Sequence, residues 1–222
     1  MKAIVLSAHP DDEALGCGGT LLKHKAKGDE LAWVIVTNVS EQHGFSKERI
    51  QERKQEIESV KNKIGFKKIF DLGYRPGGLD SNSLLTLVTK ISDAFNEFKP
   101  ETIYVMNRSD AHSDHRITFD AVMACTKSFR YPFVKKVLMY ECISETEFAP
   151  ALAENVFLPN YFVDISEQMN EKIELNKIYA SEFGQHPFPR SIENIKALAH
   201  FRGATAGVHY AEAFQLLKYI DK

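Results

Sequence analysis

No apolar run in this sequence approaches the ~20 residues that a helix needs to cross a bilayer, so no integral membrane segment is expected. Cysteine is scarce: Cys17, Cys125 and Cys142 are odd in number and irregularly spaced. That pattern argues against a disulfide framework and fits a reducing compartment. An excess of one charge is missing too. Lys and Arg total 28 against 30 Asp and Glu, a formal net charge of −2. No Lys/Arg block stands out, so neither a nucleic acid nor an anionic membrane is expected as a partner. Residues 1–8, ahead of the first polar motif, are too short for a secretory signal. The expected location is the cytoplasm. No internal repeat, low-complexity tract or linker interrupts the chain. Residues 1–222 are read as one domain, long enough to bury a substantial core.

What is present is an alternation of two patterns. Residues 3–8, 31–36, 102–106 and 137–140 are apolar without period-2 alternation, as in parallel strands covered on both faces. Residues 67–72 predict one more strand. Between them, Ile50, Ile57, Val60 and Ile64 recur at helical spacing, as do Leu84, Leu87, Val88, Ile91 and Phe95. Phe119 and Val122 suggest a third helix. Strand and helix in alternation predict an α/β fold, a three-layer Rossmann-like domain with a mainly parallel sheet. The last third is less regular. A strand over 157–165 and helices over 167–180, 192–201 and 210–219 are expected, with a proline-bearing loop at 184–190.

In an open parallel sheet, ligands sit beyond the carboxyl ends of the strands. Two segments expected there are unusually polar: Ala8-His9-Pro10-Asp11-Asp12-Glu13 and Asp110-Ala111-His112-Ser113-Asp114-His115. Together they carry three imidazoles and five carboxylates. Single residues of this kind are usually solvated turn residues or helix caps; two clusters on two strand ends suit a site. Catalytic zinc takes three His or carboxylate ligands and keeps a fourth position open. His9, Asp12 and His115 would supply such a set for one Zn²⁺ per chain, which Fe²⁺ or Co²⁺ could replace. Pro10 fixes a backbone dihedral between the first two ligands.

The segment A-H-P-D-D-E, followed by G-C-G-G-T and later by H-S-D-H-R, closely resembles the LmbE-like, or PIG-L, N-acetylglucosaminyl deacetylases. Arg202–Phe214, R-G-A-T-A-G-V-H-Y-A-E-A-F, looks like that family's closing segment. The resemblance implies His9, Asp12 and His115 as metal ligands and Asp11 as the general base. It implies His112 for acid or oxyanion work, with Asp114 as its neighbouring carboxylate, expected to raise the His112 pKa by opposite charge. The implied reaction is zinc-dependent hydrolysis of the N-acetyl group of an N-acetylglucosamine-type sugar or conjugate, releasing acetate and a free amine. A GlcNAc-malate of the bacillithiol pathway or a surface-polysaccharide sugar would suit. Whether Asp11 or His112 protonates the leaving amine stays open. A metal-dependent phosphoesterase and a non-catalytic sugar- or metal-binding protein are the alternatives. The first would need further carboxylate ligands; the second would not need Asp11 and His112. An enzyme this compact is compatible with a homo-oligomer.

Substrate contacts are expected from Arg75, at a strand end, from Arg108 and Asp110, which border the second motif, and from His186 in the proline loop. Arg53 and Glu56 are spaced i, i+3. They are either a surface ion pair or, following the resemblance, support for the site. Thr37 and Asn38 follow the second strand and could line the cleft mouth. Gly16-Cys17-Gly18-Gly19 is not a dinucleotide loop; close helix–sheet packing is the expectation. His209 and Glu212 read as ordinary polar residues, and His24, His43 and His200 lack a supporting cluster.

Overall fold

Each apolar run becomes a strand, because residues buried on both faces gain most from a sheet covered by helices. The computed structural model describes residues 1–81 and 84–221. They contain β1 (Lys2–Ser7), β2 (Glu30–Thr37), β3 (Lys68–Tyr74), β4 (Thr102–Met106), β5 (Lys136–Tyr140), β6 (Tyr161–Asp164) and β7 (Ala211–Tyr219). The helices are α1 (Asp12–Ala26), α2 (Lys47–Ile64), α3 (Leu84–Phe98), α4 (Ser113–Ala124), α5 (Met169–Asn176) and α6 (Ile192–Ala206). No helix among the described residues is long and apolar enough to cross a membrane.

The strands form one sheet in the order β3-β2-β1-β4-β5-β7-β6. β1 pairs in parallel with both β2 and β4, and β4 with β5. From β1 the chain winds outward through β2 to β3, then returns to β4 on the other side. Right-handed crossovers therefore put α1 and α2 on one face and α3 and α4 on the other. The order reverses between β1 and β4, which is where an open sheet leaves a crevice at its carboxyl ends. Both polar motifs begin there.

Residues 210–219 correct the expectation of a helix. Ala, Glu, Gln, Leu and Lys in this stretch favour helix by intrinsic propensity. The chain instead enters the sheet as β7, antiparallel to β5 on one side and β6 on the other. Ala211, Glu212, Ala213 and Phe214 are all buried, and pairing on both edges outweighs a propensity difference of tenths of a kcal/mol per residue.

The glycine-rich start of α1 is a packing device, as expected. A Cβ on Gly16 would lie 2.1 Å from the Tyr140 ring, and one on Gly19 would lie 2.8 Å from Ile165. The helix breaks its geometry at Cys17, at φ −142° and ψ 20°. An unbroken helix would pair the Gly19 N–H with the Leu15 carbonyl. Here Gly19 and Thr20 donate their N–H groups to the Glu212 carboxylate at 2.8 and 2.7 Å. Lys172 donates to the Leu15 carbonyl at 2.9 Å and to Glu212 at 2.5 Å. Glu212 thus holds the helix that begins at the first motif.

Candidate active site

β1 ends at Ser7, and the chain turns through His9–Asp11 into α1. Asp11, the residue before the helix, has φ 147° and ψ −27° and makes no side-chain cap bond. A non-glycine residue at such a φ costs on the order of 1–3 kcal/mol and persists only where its surroundings demand it. They do so here. The Asp11 N–H donates to Glu13 at 3.2 Å, its carbonyl takes the Ala14 and Leu15 N–H groups at 3.0 Å each, and Arg53 donates to the carbonyl of Pro10. The turn leaves the Asp11 carboxylate in the wall of a cavity of about 430 Å³.

The cavity floor brings both motifs together. His9, Asp12 and His115 each offer a ligand atom, all within 4.8 Å of one another. Asp12 accepts the His9 backbone N–H at 2.9 Å. His115 is 1% exposed, and its Nδ1 is held by Asp110 Oδ2 at 2.8 Å. Its Nε2 is buried without a hydrogen-bond partner, although Asp12 Oδ1 lies only 3.3 Å away. A buried nitrogen without a partner, facing a carboxylate and a second imidazole, fits a divalent cation as the missing partner. Burial opposes a charge on His115, but Asp12 and Asp110 outweigh it and hold its pKa well above the ordinary value. Burial likewise opposes the charge of Asp12, and His115 and His9 overcome it, so its pKa is lowered. These are the electrostatics of a nest for positive charge.

His112 is the residue before α4, and its Nδ1 accepts the Asp114 N–H at 3.1 Å. An imidazole that accepts at Nδ1 carries its proton on Nε2. Burial and the neighbouring His9 lower the His112 pKa, with Asp114 opposing. Asp114 does raise it by opposite charge, as expected, but is outweighed. Asp114 Oδ2 stands 3.9 Å from His112 Nδ1 and is engaged elsewhere. It meets the Gly77 N–H at 2.7 Å and His9 Nε2 at 3.1 Å, while Oδ1 takes the Leu79 N–H at 3.1 Å. Asp114 is fully buried and holds His9 and the turn after β3 in place.

Asp110 departs from the expected substrate contact. It is fully buried, and both of its oxygens are bonded inside the protein, to His115 and to Asn107 and Thr146. Neither oxygen is left free to face the cavity, whose lining does not include Asp110. Arg108 turns its guanidinium to the carbonyl of Glu154, outside the cavity lining. Arg75 and His186 are exposed and also lie outside that lining, whereas Pro76 is part of it. Thr37 and Asn38 do line the cavity. Arg53 and Glu56 are 6% exposed each, so they form a buried support for the first motif.

Several wall residues escaped the sequence reading. Arg49 lies one turn ahead of Arg53 on α2, a spacing that could have revealed it. Glu182 and Arg190 come from the irregular segment after α5, where no periodicity points to them. Glu182 collects Arg53 at 2.9 Å, Arg49 at 3.2 Å and Arg190 at 3.5 Å. Phe45 lines the mouth, and Glu145 and Cys142 line the inner wall. Burial raises the Asp11 pKa well above the usual carboxylate value, Asp12 and Glu182 add to it, and Arg190 opposes.

The whole chain has relatives. It is 22% identical over 227 residues to the diacetylchitobiose deacetylase of Thermococcus kodakarensis, covering 97% of this chain and 83% of that protein. The conserved protein TT1542 of Thermus thermophilus superposes with a TM-score of 0.79 at 25% identity, over 99% of this chain and 96% of that one. The 4-carboxy-2-hydroxymuconate hydratase of Pseudomonas putida KT2440 shares the fold with a TM-score of 0.74 at 18% identity, over 100% and 98%. Residues 4–126 match the family described as GlcNAc-PI de-N-acetylase, and with both polar motifs inside that span the chain belongs to the PIG-L family.

Proposed function

We propose that this chain is a metal-dependent N-deacetylase that hydrolyses the acetamide of an N-acetylglucosamine-type sugar or conjugate. The observation that carries the reading is the convergence of His9, Asp12 and His115 on one point of the cavity floor beside the Asp11 carboxylate. The relatives named as deacetylases support it. The hydratase shares only the fold, so architecture alone does not choose between adding water to an alkene and adding it to an amide. Zinc is the ion we assign to the three ligands; when bound, it would acidify a water and polarise the acetyl carbonyl. The second metal-competent group, His9, His112 and Asp114, shares His9 with the first. That favours one ion per chain over a two-metal phosphoesterase.

The chain's own residues divide the work. Asp11 takes a proton from the attacking water as oxygen bonds to the acetyl carbon. His112, neutral and carrying its proton on Nε2, donates a hydrogen bond to the carbonyl oxygen as negative charge develops there. Its lowered pKa suits a donor that stays neutral, so the departing nitrogen takes its proton from Asp11 as the C–N bond breaks. The group released is acetate, and the other product is the amine. We also read the chain as one domain, and its three free thiols as fitting the cytoplasm.

The test is acetate release from a panel of N-acetylated sugars, read with metal content for purified variants. Asp11→Asn keeps the ion and loses about 10²–10⁴-fold in kcat, the usual cost of a lost general base. His115→Ala loses ion and activity together. A zinc-loaded parent that released no acetate from any N-acetylglucosamine conjugate would overturn the reading.

A further inference from the structure

β5 lies beside β4 in parallel register, so the turn that follows β5 emerges next to the second motif. Cys142 accepts the Glu145 N–H at 3.1 Å and the Thr146 N–H at 2.9 Å through its carbonyl. Its own N–H donates to Thr146 Oγ1 at 2.8 Å. Ser144, between them, sits at φ 76°, a conformation that a non-glycine residue adopts only under constraint. The turn is therefore tightly built, and three of its groups reach across to the second motif. The Glu145 carbonyl takes the Ala111 N–H at 3.1 Å. The Glu145 carboxylate takes the His112 N–H at 2.9 Å. Thr146 Oγ1 donates to Asp110 Oδ1 at 2.7 Å, and the other Asp110 oxygen holds His115 Nδ1.

We propose that this turn is a clamp with two separable jaws: Thr146 positions the metal ligand His115 through Asp110, and Glu145 positions the oxyanion donor His112 through its backbone N–H. The inference rests on the proposed metal site. Thr146 shares Asp110 Oδ1 with Asn107, which donates to it at 2.9 Å; the one proton of the Thr146 hydroxyl goes to Asp110, and the Cys142 N–H fills a lone pair. A carboxylate held on one oxygen presents the other to His115 in a fixed direction. Removing a ligand's direct partner, here Asp110, typically changes metal affinity about 10–100-fold, which sets the upper bound for Thr146. Glu145 needs no proton of its own for its part, since any acceptor oxygen at that place would hold the His112 N–H. Both are positioning residues, not groups that react.

Zn²⁺ titration of the chelator-stripped full chain decides the first jaw without any substrate. Thr146→Val weakens Zn²⁺ binding by up to about 10-fold, the low end of the range for a direct partner, and Thr146→Ser, which keeps the hydroxyl, restores it. For the second jaw, Glu145→Ala keeps the Zn²⁺ affinity and lowers kcat at saturating zinc, and Glu145→Gln, which still offers an amide oxygen, recovers most of that rate. Parental Zn²⁺ affinity in Thr146→Val overturns the proposal, even if the valine variant needs the serine variant as its folding control. Glu145→Gln as slow as Glu145→Ala also overturns it, because that result assigns Glu145 a proton to move. A chain that binds Zn²⁺ in this Thr146-dependent way but releases no acetate keeps the first jaw and removes the deacetylase reading, and the second jaw with it.

Discussion

Asp11 shows what a reacting group costs the fold that holds it. Its carboxylate is buried beside Asp12 and Glu182, so its pKa in the folded, metal-free chain lies above the ordinary 3.8. A carboxyl with a raised folded pKa contributes stability that is full below its unfolded pKa and lost as pH rises through the folded value. Asp11→Asn removes that loss. Urea unfolding of the metal-free protein at pH 4 and pH 7 should therefore show the variant gaining on the parent as pH rises. A gap that stays constant, or that narrows toward pH 7, would contradict the assignment of burial as the cause. Glu13, fully buried against Ser7 and Tyr179 and pushed up to about 7 by that burial, adds to the same slope and is left in place by the substitution. At this scale the sequence was most informative where residue type and chemistry coincide. Imidazole and carboxylate at two strand ends point to a cation without any knowledge of packing. It was least informative about direction: Asp110 and Asp114 have the same side chain as Asp11 and are buried like it, and only their hydrogen bonds inside the protein distinguish them.

Among the elements, α1 is broken at Cys17 and supported there by two other elements. The break at Cys17 exposes backbone groups that Glu212 and Lys172 satisfy from β7 and α5. Both charges are buried, with side chains 3% and 5% exposed. Removing one partner of a buried pair typically costs about 3–5 kcal/mol, because the other charge is left behind. Glu212→Gln should show a loss of that size in chemical denaturation, while Glu212→Gln/Lys172→Met, which removes both charges, should recover part of it. No recovery in the double variant would mean that the helix cap, not the ion pair, carries the effect. The pair could not be read from sequence: Glu212 lies in the closing segment, but Lys172, 40 residues away, belongs to no motif, and nothing in the sequence joins the two. The strand assignment of 211–219 was hidden for a similar reason. Its residues are helix formers, and it becomes a strand because β5 and β6 both need a partner at that place in the sheet.

For the whole molecule, the proposed metal site would link the two halves of the sheet. His9 and Asp12 follow β1 and His115 follows β4, so an ion there ties together the chain on either side of the topological switch. A ligand that binds only the folded state stabilises it by about 4 kcal/mol at a free concentration a thousandfold above Kd. For a chain of this length that corresponds to about 8–16 °C in Tm. Chelation should lower the Tm by such an amount and zinc should restore it, with the His115→Ala variant indifferent to both. An identical Tm with and without chelator would place the ion elsewhere or nowhere.

Local sequence was sufficient for the parallel sheet, because doubly buried strands leave continuous apolar runs. It was sufficient as well for the two motifs, because polar residues immediately after such runs have one place to go. The tertiary structure alone decided which carboxylates face the cavity and which serve as struts. It also supplied the far wall: Glu182 and Arg190 arrive from a segment without periodicity, and the clamp after β5 joins Thr146 to Asp110 and Glu145 to the His112 backbone N–H across two strand ends. Contacts made by such groups depend on where the strands bring the chain together, and no residue type announces them.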